Sequence, residues 1–146
     1  MLQRKYKMSA LHELEVPIAH QDWSHDKYAA EVIRSLSSCG VLEREDMVRE
    51  SLARSVVTAL EWAKRNQWPI SESFGLNLKW ERYNLSYLIV RTTGIISQVH
   101  QYALYNNPIR AVEFLNYAVA HIEDYTRFQR WPLVDDIYAY LNSDHR

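Results

Sequence analysis

The sequence is short of the residues that form tight turns. It contains three glycines and four prolines in 146 residues. A β-sandwich or a β-barrel joins many short strands through turns that need these residues. Long helices need few connections, and the composition therefore favours an all-α fold.

Cysteine is nearly absent as well. The single cysteine, Cys39, excludes an internal disulfide and fits a reducing compartment. We therefore expect a cytoplasmic protein. Cys39 follows Leu36 on an amphipathic stretch, and we expect it to be a small buried core residue rather than a reactive thiol.

The chain also lacks a long apolar run and a strong net charge. Its first residues do not contain the apolar segment of a signal peptide, and no stretch is long enough to span a bilayer. The formal net charge is −1, which gives little long-range attraction to nucleic acid or to an anionic membrane. We expect a soluble chain that binds neither.

Helical periodicity is the strongest positive signal. One apolar stripe, with steps of three and four residues, comprises Leu85, Leu88, Thr92, Ile95, Val99 and Tyr102. A second stripe follows at Val112, Leu115, Val119, Ile122 and Thr126. Such spacing places side chains on one face of a helix. It predicts helices from about Trp80 to Tyr105 and from Pro108 to about Phe128, with Asn107 as the N-cap and Pro108 in the first turn.

Weaker patterns predict the remaining helices at residues 8–15, 24–40, 43–66 and 132–141. Pro17 ends the first of these, because the residue before a proline is pushed out of the α region. Ser24 is the expected N-cap of the second helix. Gly40 is expected to end that helix in the left-handed conformation.

These elements predict a single-domain, all-α bundle of five to six mostly antiparallel helices over residues 8–142. We expect residues 1–7 to be a flexible tail and residues 143–146 to be frayed. A short stack of helix hairpins is the alternative, because Trp and Pro follow a long helix both at residues 65–70 and at residues 127–133. Two unrelated helices that end on the same types of residue would explain this similarity equally well.

Motifs for catalysis or for metal binding are missing. The chain has no glycine-rich phosphate loop, no nucleophile elbow and no His-x-x-x-His, Glu-x-x-His or His-Glu-x-x-His pair. His20, Asp22, His25 and Asp26 lie within seven residues, but His20 and His25 are five residues apart, a spacing that does not stack on one helix face. We therefore expect no catalytic residue, no metal site and no cofactor.

Aromatic residues are abundant, with five tryptophans and ten tyrosines. Trp, Tyr and Arg are the residues that most often anchor protein interfaces. We expect an exposed binding face around the 68–87 segment, with an acidic pair near the C-terminus facing a basic partner. The predicted partner-binding residues are Trp68, Trp80, Arg82, Tyr83, Tyr87, Asp135 and Asp136.

Two functions follow from these observations. The first is a non-enzymatic protein-binding module, either an adaptor or a stoichiometric inhibitor. In size and composition the chain is similar to the immunity proteins that neutralise a cognate bacterial toxin. The alternative is a small helical enzyme or ligand binder, with His100 or His121 near Tyr102 and Tyr117 in a pocket between helices. A homodimer in which the seam at 85–102 packs across two copies is also open.

Overall fold

The computed structural model describes residues 11–71, 76, 78, 80 and 84–143. Over these residues the chain forms five α-helices and no strand, which confirms the predicted all-α class. The helices are α1 (His25–Ser38), α2 (Glu45–Arg65), α3 (Leu85–Leu104), α4 (Pro108–Gln129) and α5 (Leu133–Leu141). Among the described helices, none combines the length and the apolar character needed to cross a membrane.

The four long helices close a ring around one core. Helix α1 packs on α2, α2 on α4, α4 on α3, and α3 on α1. Helix α5 packs against α2. The largest apolar side chains that are at most 1% exposed include Tyr28, Leu36, Leu52, Trp62, Leu88, Ile96, Leu115 and Ile137. The helices share one core, as expected for the predicted helix bundle.

Both predicted apolar stripes face this core. The buried positions are Leu88, Thr92, Ile95 and Val99 on α3, and Leu115, Val119, Ile122 and Thr126 on α4. The outermost members of the stripes, Leu85, Tyr102 and Val112, are half-buried. Thr92 and Thr126 are tolerated in the core because each hydroxyl donates to a carbonyl within its own helix, that of Leu88 at 2.6 Å and that of Glu123 at 2.9 Å. Cys39 is 1% exposed, as predicted.

Polar side chains cap the start of three helices. Ser24 accepts from the Lys27 amide at 3.1 Å, and Asn107 accepts from the Arg110 amide at 3.3 Å, which confirms both predicted N-caps. Helix α3 begins later than predicted. Its N-cap is Asn84, which accepts from the amide of Tyr87 at 3.1 Å. The predicted start at Trp80 was wrong because an indole cannot accept a hydrogen bond from the first turn.

Two other predicted helix boundaries were also wrong. Residues 11–13 form only one 3-10 turn, and residues 14–20 are not helical; residues 8–10 lie outside the described range. A single turn before Pro17 is too short to recover the cost of helix nucleation. Gly40 does not adopt a positive φ, because the chain leaves α1 through a 3-10 turn, Cys39–Val41. The predicted tail at residues 1–7 lies outside the described range, as does most of the predicted frayed end.

Three helices end on a residue other than glycine in the left-handed conformation. These residues are Gln67, Asn106 and Arg130, with φ of 58°, 57° and 64°. The next amide then donates to the carbonyl five residues earlier at 2.8 Å, from Trp68 to Ala63, from Asn107 to Tyr102 and from Trp131 to Thr126. This is the Schellman ending. A proline follows each time, at positions 69, 108 and 132. The Schellman ending followed by a proline therefore explains why the two Trp-Pro segments resemble each other, and no internal repeat is needed.

Gln67 offers a test of this ending. A β-carbon in the left-handed region costs free energy that glycine does not incur. We expect Gln67→Gly to raise the free energy of unfolding by about 0.5–1 kcal/mol in a urea titration. The matched control is Gln98→Gly, at an exposed position inside α3, which should lower it by a similar amount. Loss of stability in both variants would contradict the strained ending.

Candidate functional site

The aromatic face predicted around residues 68–87 points mostly inward. Trp68 and Trp80 are 8% and 5% exposed, and Tyr87 is half-buried. The expected exposure is therefore wrong for the two indoles, which cover the core. Arg82 and Tyr83 lie outside the described residues.

Each buried indole has specific neighbours. Trp80 donates from Nε1 to Asp124 Oδ2 at 2.7 Å, and its ring meets the edge of Tyr125 at 5.1 Å. Trp68 stacks on His25 with ring centroids 6.0 Å apart. Both residues precede or follow a helix rather than lie within one, so helical periodicity carried no information on which way they face.

The two predicted acidic residues differ in their surroundings. Asp136 accepts from Arg49 Nη2 at 2.8 Å and from Arg49 Nε at 3.0 Å. This bidentate pair joins α5 to α2, so both carboxylate oxygens of Asp136 already have a hydrogen-bond partner within the chain. Asp135 is exposed and lines a groove of about 300 Å³ together with Arg127 and Arg130.

A group of polar side chains surrounds Glu61, which is 1% exposed. Its Oε2 accepts from the Tyr28 hydroxyl at 2.8 Å and from the His20 amide at 3.0 Å, and lies 3.1 Å from His20 Nδ1. Arg65 donates to the carbonyl oxygens of His20 and Trp23 at 2.9 and 3.3 Å. Burial, followed by the hydrogen bond to Glu61, raises the pKa of Tyr28 to about 12. These contacts fasten the connection before α1 to the end of α2.

The side chains of His25 and Asp26 contact different partners. Trp62 Nε1 donates to His25 Nδ1 at 3.0 Å, whereas Asp26 Oδ1 lies 2.5 Å from Nε2 of His100 on α3. The two side chains therefore serve different contacts. No group of three or more His, Cys, Asp or Glu side chains within the described ranges is arranged to hold a metal ion.

The histidines and tyrosines of the alternative hypothesis are only partly brought together. His121 donates from Nδ1 to the Tyr117 carbonyl at 2.9 Å and lies edge-on to the ring of Tyr117 at 4.6 Å. Burial lowers the pKa of His121, which is 1% exposed. Tyr102 meets the edge of Phe114 at 5.3 Å, and His100 instead pairs with Asp26.

An open groove lies on the outward face of α4, and Phe114 and Tyr117 form part of its lining. Its volume is about 550 Å³, within the range of known ligand sites. The lining residues are Pro69, Ser71, Arg110, Val112, Glu113, Phe114, Asn116 and Tyr117. We refer to it as the α4 groove.

Asn116 joins the two sides of the α4 groove. Its Oδ1 accepts from the Ser71 amide at 2.8 Å, and its Nδ2 donates to the carbonyls of Pro69 and Val112 at 3.0 and 2.9 Å. The amide is thus satisfied within the chain. What the groove offers to an occupant is mainly the apolar surface of Val112, Phe114 and Tyr117.

A second exposed feature borders the α4 groove. The turn between α3 and α4, residues 104–109, carries no charged residue, and we call it the hairpin tip. Leu104, Tyr105 and Ile109 in it are 55%, 77% and 80% exposed. Ile109 precedes Glu113 of the groove by one helical turn and lies on the same side of α4.

Sequence reasoning missed the hairpin tip for a simple reason. Tyr105 follows Tyr102 by three residues, and Ile109 precedes Val112 by three, so both continue the spacing of the buried stripes. They are nevertheless 77% and 80% exposed, so no neighbouring part of the described chain covers them.

Removal of one hydroxyl tests the role of the cluster around Glu61. Tyr28→Phe leaves the buried carboxylate without one of its donors, and we expect the free energy of unfolding to fall by about 1–3 kcal/mol. Tyr138→Phe is the control, since Tyr138 is 51% exposed, and it should change stability by less than about 0.5 kcal/mol. Equal effects of both variants in urea titrations would show that the hydroxyl contributes nothing.

The pKa values of His25 and His121 predict a loss of stability in acid. Burial, and for His25 also the charge of His100, lowers the folded pKa below the ordinary 6.5. Below pH 6.5 the unfolded chain therefore binds more protons than the folded chain. The free energy of unfolding is highest above pH 6.5 and decreases as the pH falls towards and through the folded pKa. His121→Gln keeps a donor for the Tyr117 carbonyl but does not titrate. Denaturant titrations at about pH 7 and about pH 5 should show a smaller loss in the variant. Parallel losses would contradict this assignment.

Comparison with known proteins assigns no family to this chain. No family model matches it, and it matches neither a curated protein nor a solved structure.

Proposed function

We propose that this chain is a non-enzymatic protein-binding module, an adaptor or a stoichiometric inhibitor of the immunity-protein type. The observation that supports the proposal is the hairpin tip. Three large apolar side chains, Leu104, Tyr105 and Ile109, are more than half exposed within six residues. Clustered apolar exposure of this kind marks interaction sites on soluble proteins.

The hairpin tip suits an interface because its backbone is held in place. Asn106 takes the left-handed conformation, and Asn107 both completes the Schellman ending of α3 and caps α4. Pro108 then fixes φ in the first turn of α4. A rigid apolar tip loses little conformational entropy when a partner covers it, and a larger part of the contact energy remains as affinity.

The α4 groove extends the proposed interface away from the tip. Phe114 and Tyr117 supply aromatic surface, and Arg110 and Glu113 form an ion pair at 3.1 Å beside them. An apolar centre with a polar border is the usual composition of a binding face. The tip and the groove together replace the 68–87 segment as the expected partner-binding surface.

A ligand-binding function is the second candidate, and the volume of the α4 groove is the observation that favours it. A small apolar molecule could lie against Phe114 and Tyr117, and the carbonyl of Tyr117 accepts from the buried His121. The hairpin tip has no role in that function, which makes the two candidates separable.

A photo-crosslinking amino acid placed at Tyr105 tests the proposal. In lysate of its own host, the purified protein should form one prominent covalent adduct with a second protein at this position. The same probe at Val41, which is 79% exposed in the turn after α1, should not give that adduct. With the captured protein in hand, Ile109→Ala should weaken binding by about tenfold or more, because exposed apolar anchors dominate interface energies.

The thermal stability of Ile109→Ala should equal that of the parent, since the side chain is 80% exposed. Adducts of equal yield from both probe positions would show nonspecific contact. Unchanged affinity in Ile109→Ala would show that the partner binds elsewhere. Either result would overturn the proposal.

A further inference from the structure

We propose that His20 is a site of covalent modification, at which Nε2 of the imidazole accepts a phosphoryl group while Glu61 holds the other ring nitrogen. Oε2 of the buried Glu61 lies 3.1 Å from His20 Nδ1, and no described residue donates to or accepts from Nε2. A nucleophile oriented by a second group at hydrogen-bond distance is the arrangement used in covalent catalysis. The inference goes beyond the proposed function, because it depends on neither the hairpin tip nor the α4 groove.

The contact with Glu61 decides which nitrogen of His20 can react. The same Oε2 atom accepts from the Tyr28 hydroxyl at 2.8 Å and from the His20 amide at 3.0 Å. An ionised carboxylate accepts hydrogen bonds and donates none, so the neutral imidazole must carry its proton on Nδ1. The lone pair then lies on Nε2, at the opposite edge of the ring.

The edge of the ring that carries Nε2 is accessible. Trp23 stacks on one face of the imidazole with ring centroids 3.6 Å apart, and Glu61 covers the Nδ1 edge. The side chain of His20 is nevertheless 32% exposed. Its exposed part is therefore the second face and the Nε2 edge, where a small reagent can approach without displacing a packed residue.

Two other histidines face a carboxylate with the reverse geometry. Nε2 of His12 lies 3.6 Å from Glu13, and Nε2 of His100 lies 2.5 Å from Asp26. In both pairs the carboxylate is exposed and meets the outer ring nitrogen. Of the three described histidines that pair with a carboxylate, His20 is thus the one held through Nδ1 by a buried partner.

A positive charge beside His20 favours an anionic group on Nε2. Arg65 donates to the carbonyl oxygens of His20 and Trp23 at 2.9 and 3.3 Å, and both of these acceptors are neutral. Within the described part of the chain, no carboxylate forms an ion pair with this guanidinium. A guanidinium attracts an anionic donor and stabilises the charge of a phosphoryl group. The expected reagent is therefore a phosphoryl donor with a good leaving group, such as an acyl phosphate.

The transfer itself needs no further reactant. The lone pair of Nε2 attacks phosphorus and forms the P–N bond, while the bond from phosphorus to the leaving group breaks and its electron pair departs with that group. The imidazole becomes positively charged and keeps its proton on Nδ1. The carboxylate of Glu61 stabilises this charge, as the buried carboxylate of a catalytic triad stabilises its imidazolium. Glu61 is thus a positioning residue.

Phosphoramidate tests the site, because its own P–N bond breaks with release of ammonia when the phosphoryl group passes to a histidine. The full chain is incubated with phosphoramidate and digested, and mass spectrometry follows every histidine in the same sample. We expect His20 to gain a phosphoryl group about tenfold or more faster than His12. His12 is the matched control, since its side chain is 27% exposed against 32% for His20.

Glu61→Gln tests the positioning residue. Gln keeps the size of the side chain but lacks the charge, and we expect the rate at His20 to fall by about tenfold or more. The rate at His12 should not change, and circular dichroism checks the fold. A second measurement needs no variant: nitrogen NMR of the parent should find neutral His20 protonated on Nδ1 and neutral His100 protonated on Nε2.

Three results would overturn the proposal. These are equal rates at His20 and His12 in the parent, a proton on Nε2 of neutral His20, and a folded Glu61→Gln variant that reacts at His20 as fast as the parent. None of them bears on the Tyr105 adduct, so failure of this inference leaves the proposed function standing. Loss of the adduct likewise leaves the reactivity of His20 unchanged.

Discussion

The turn between α3 and α4 is the constraint on which the rest of this structure depends. Asn106 reverses the chain in a left-handed conformation, and Asn107 and Pro108 start the next helix at once. Because the turn is so short, the two longest apolar stripes must lie antiparallel and face the same core. Their packing closes the four-helix ring, and it leaves the opposite face of α4 open to solvent.

The cluster around Glu61 holds two parts of the chain together. Glu61 accepts hydrogen bonds from the Tyr28 hydroxyl and the His20 amide, and Arg65 donates to the carbonyl oxygens of His20 and Trp23. A buried carboxylate that accepts several hydrogen bonds holds its neighbours firmly, since any broken contact leaves a polar group without a partner. The cluster ties the segment before α1 to the last two turns of α2.

The surface that we propose to bind a partner has few charged groups. The hairpin tip and the α4 groove consist of aliphatic, aromatic and amide side chains, with a single ion pair between Arg110 and Glu113. One helix therefore performs three tasks. Its inner face completes the core, its first turn shapes the tip, and its outer face lines the α4 groove.

The sequence by itself determined the fold class, the two long stripes, the caps at Ser24 and Asn107, and the burial of Cys39. These features depend on interactions between residues close in the chain, which spacing and residue type reveal. Only the tertiary structure decided which aromatic residues are exposed. Trp68 and Trp80 are buried by neighbours from other helices, whereas Tyr105 and Ile109 continue a core spacing and yet lie in solvent. Exposure depends on which parts of the fold pack against a side chain, and the spacing of residues along one helix does not specify them.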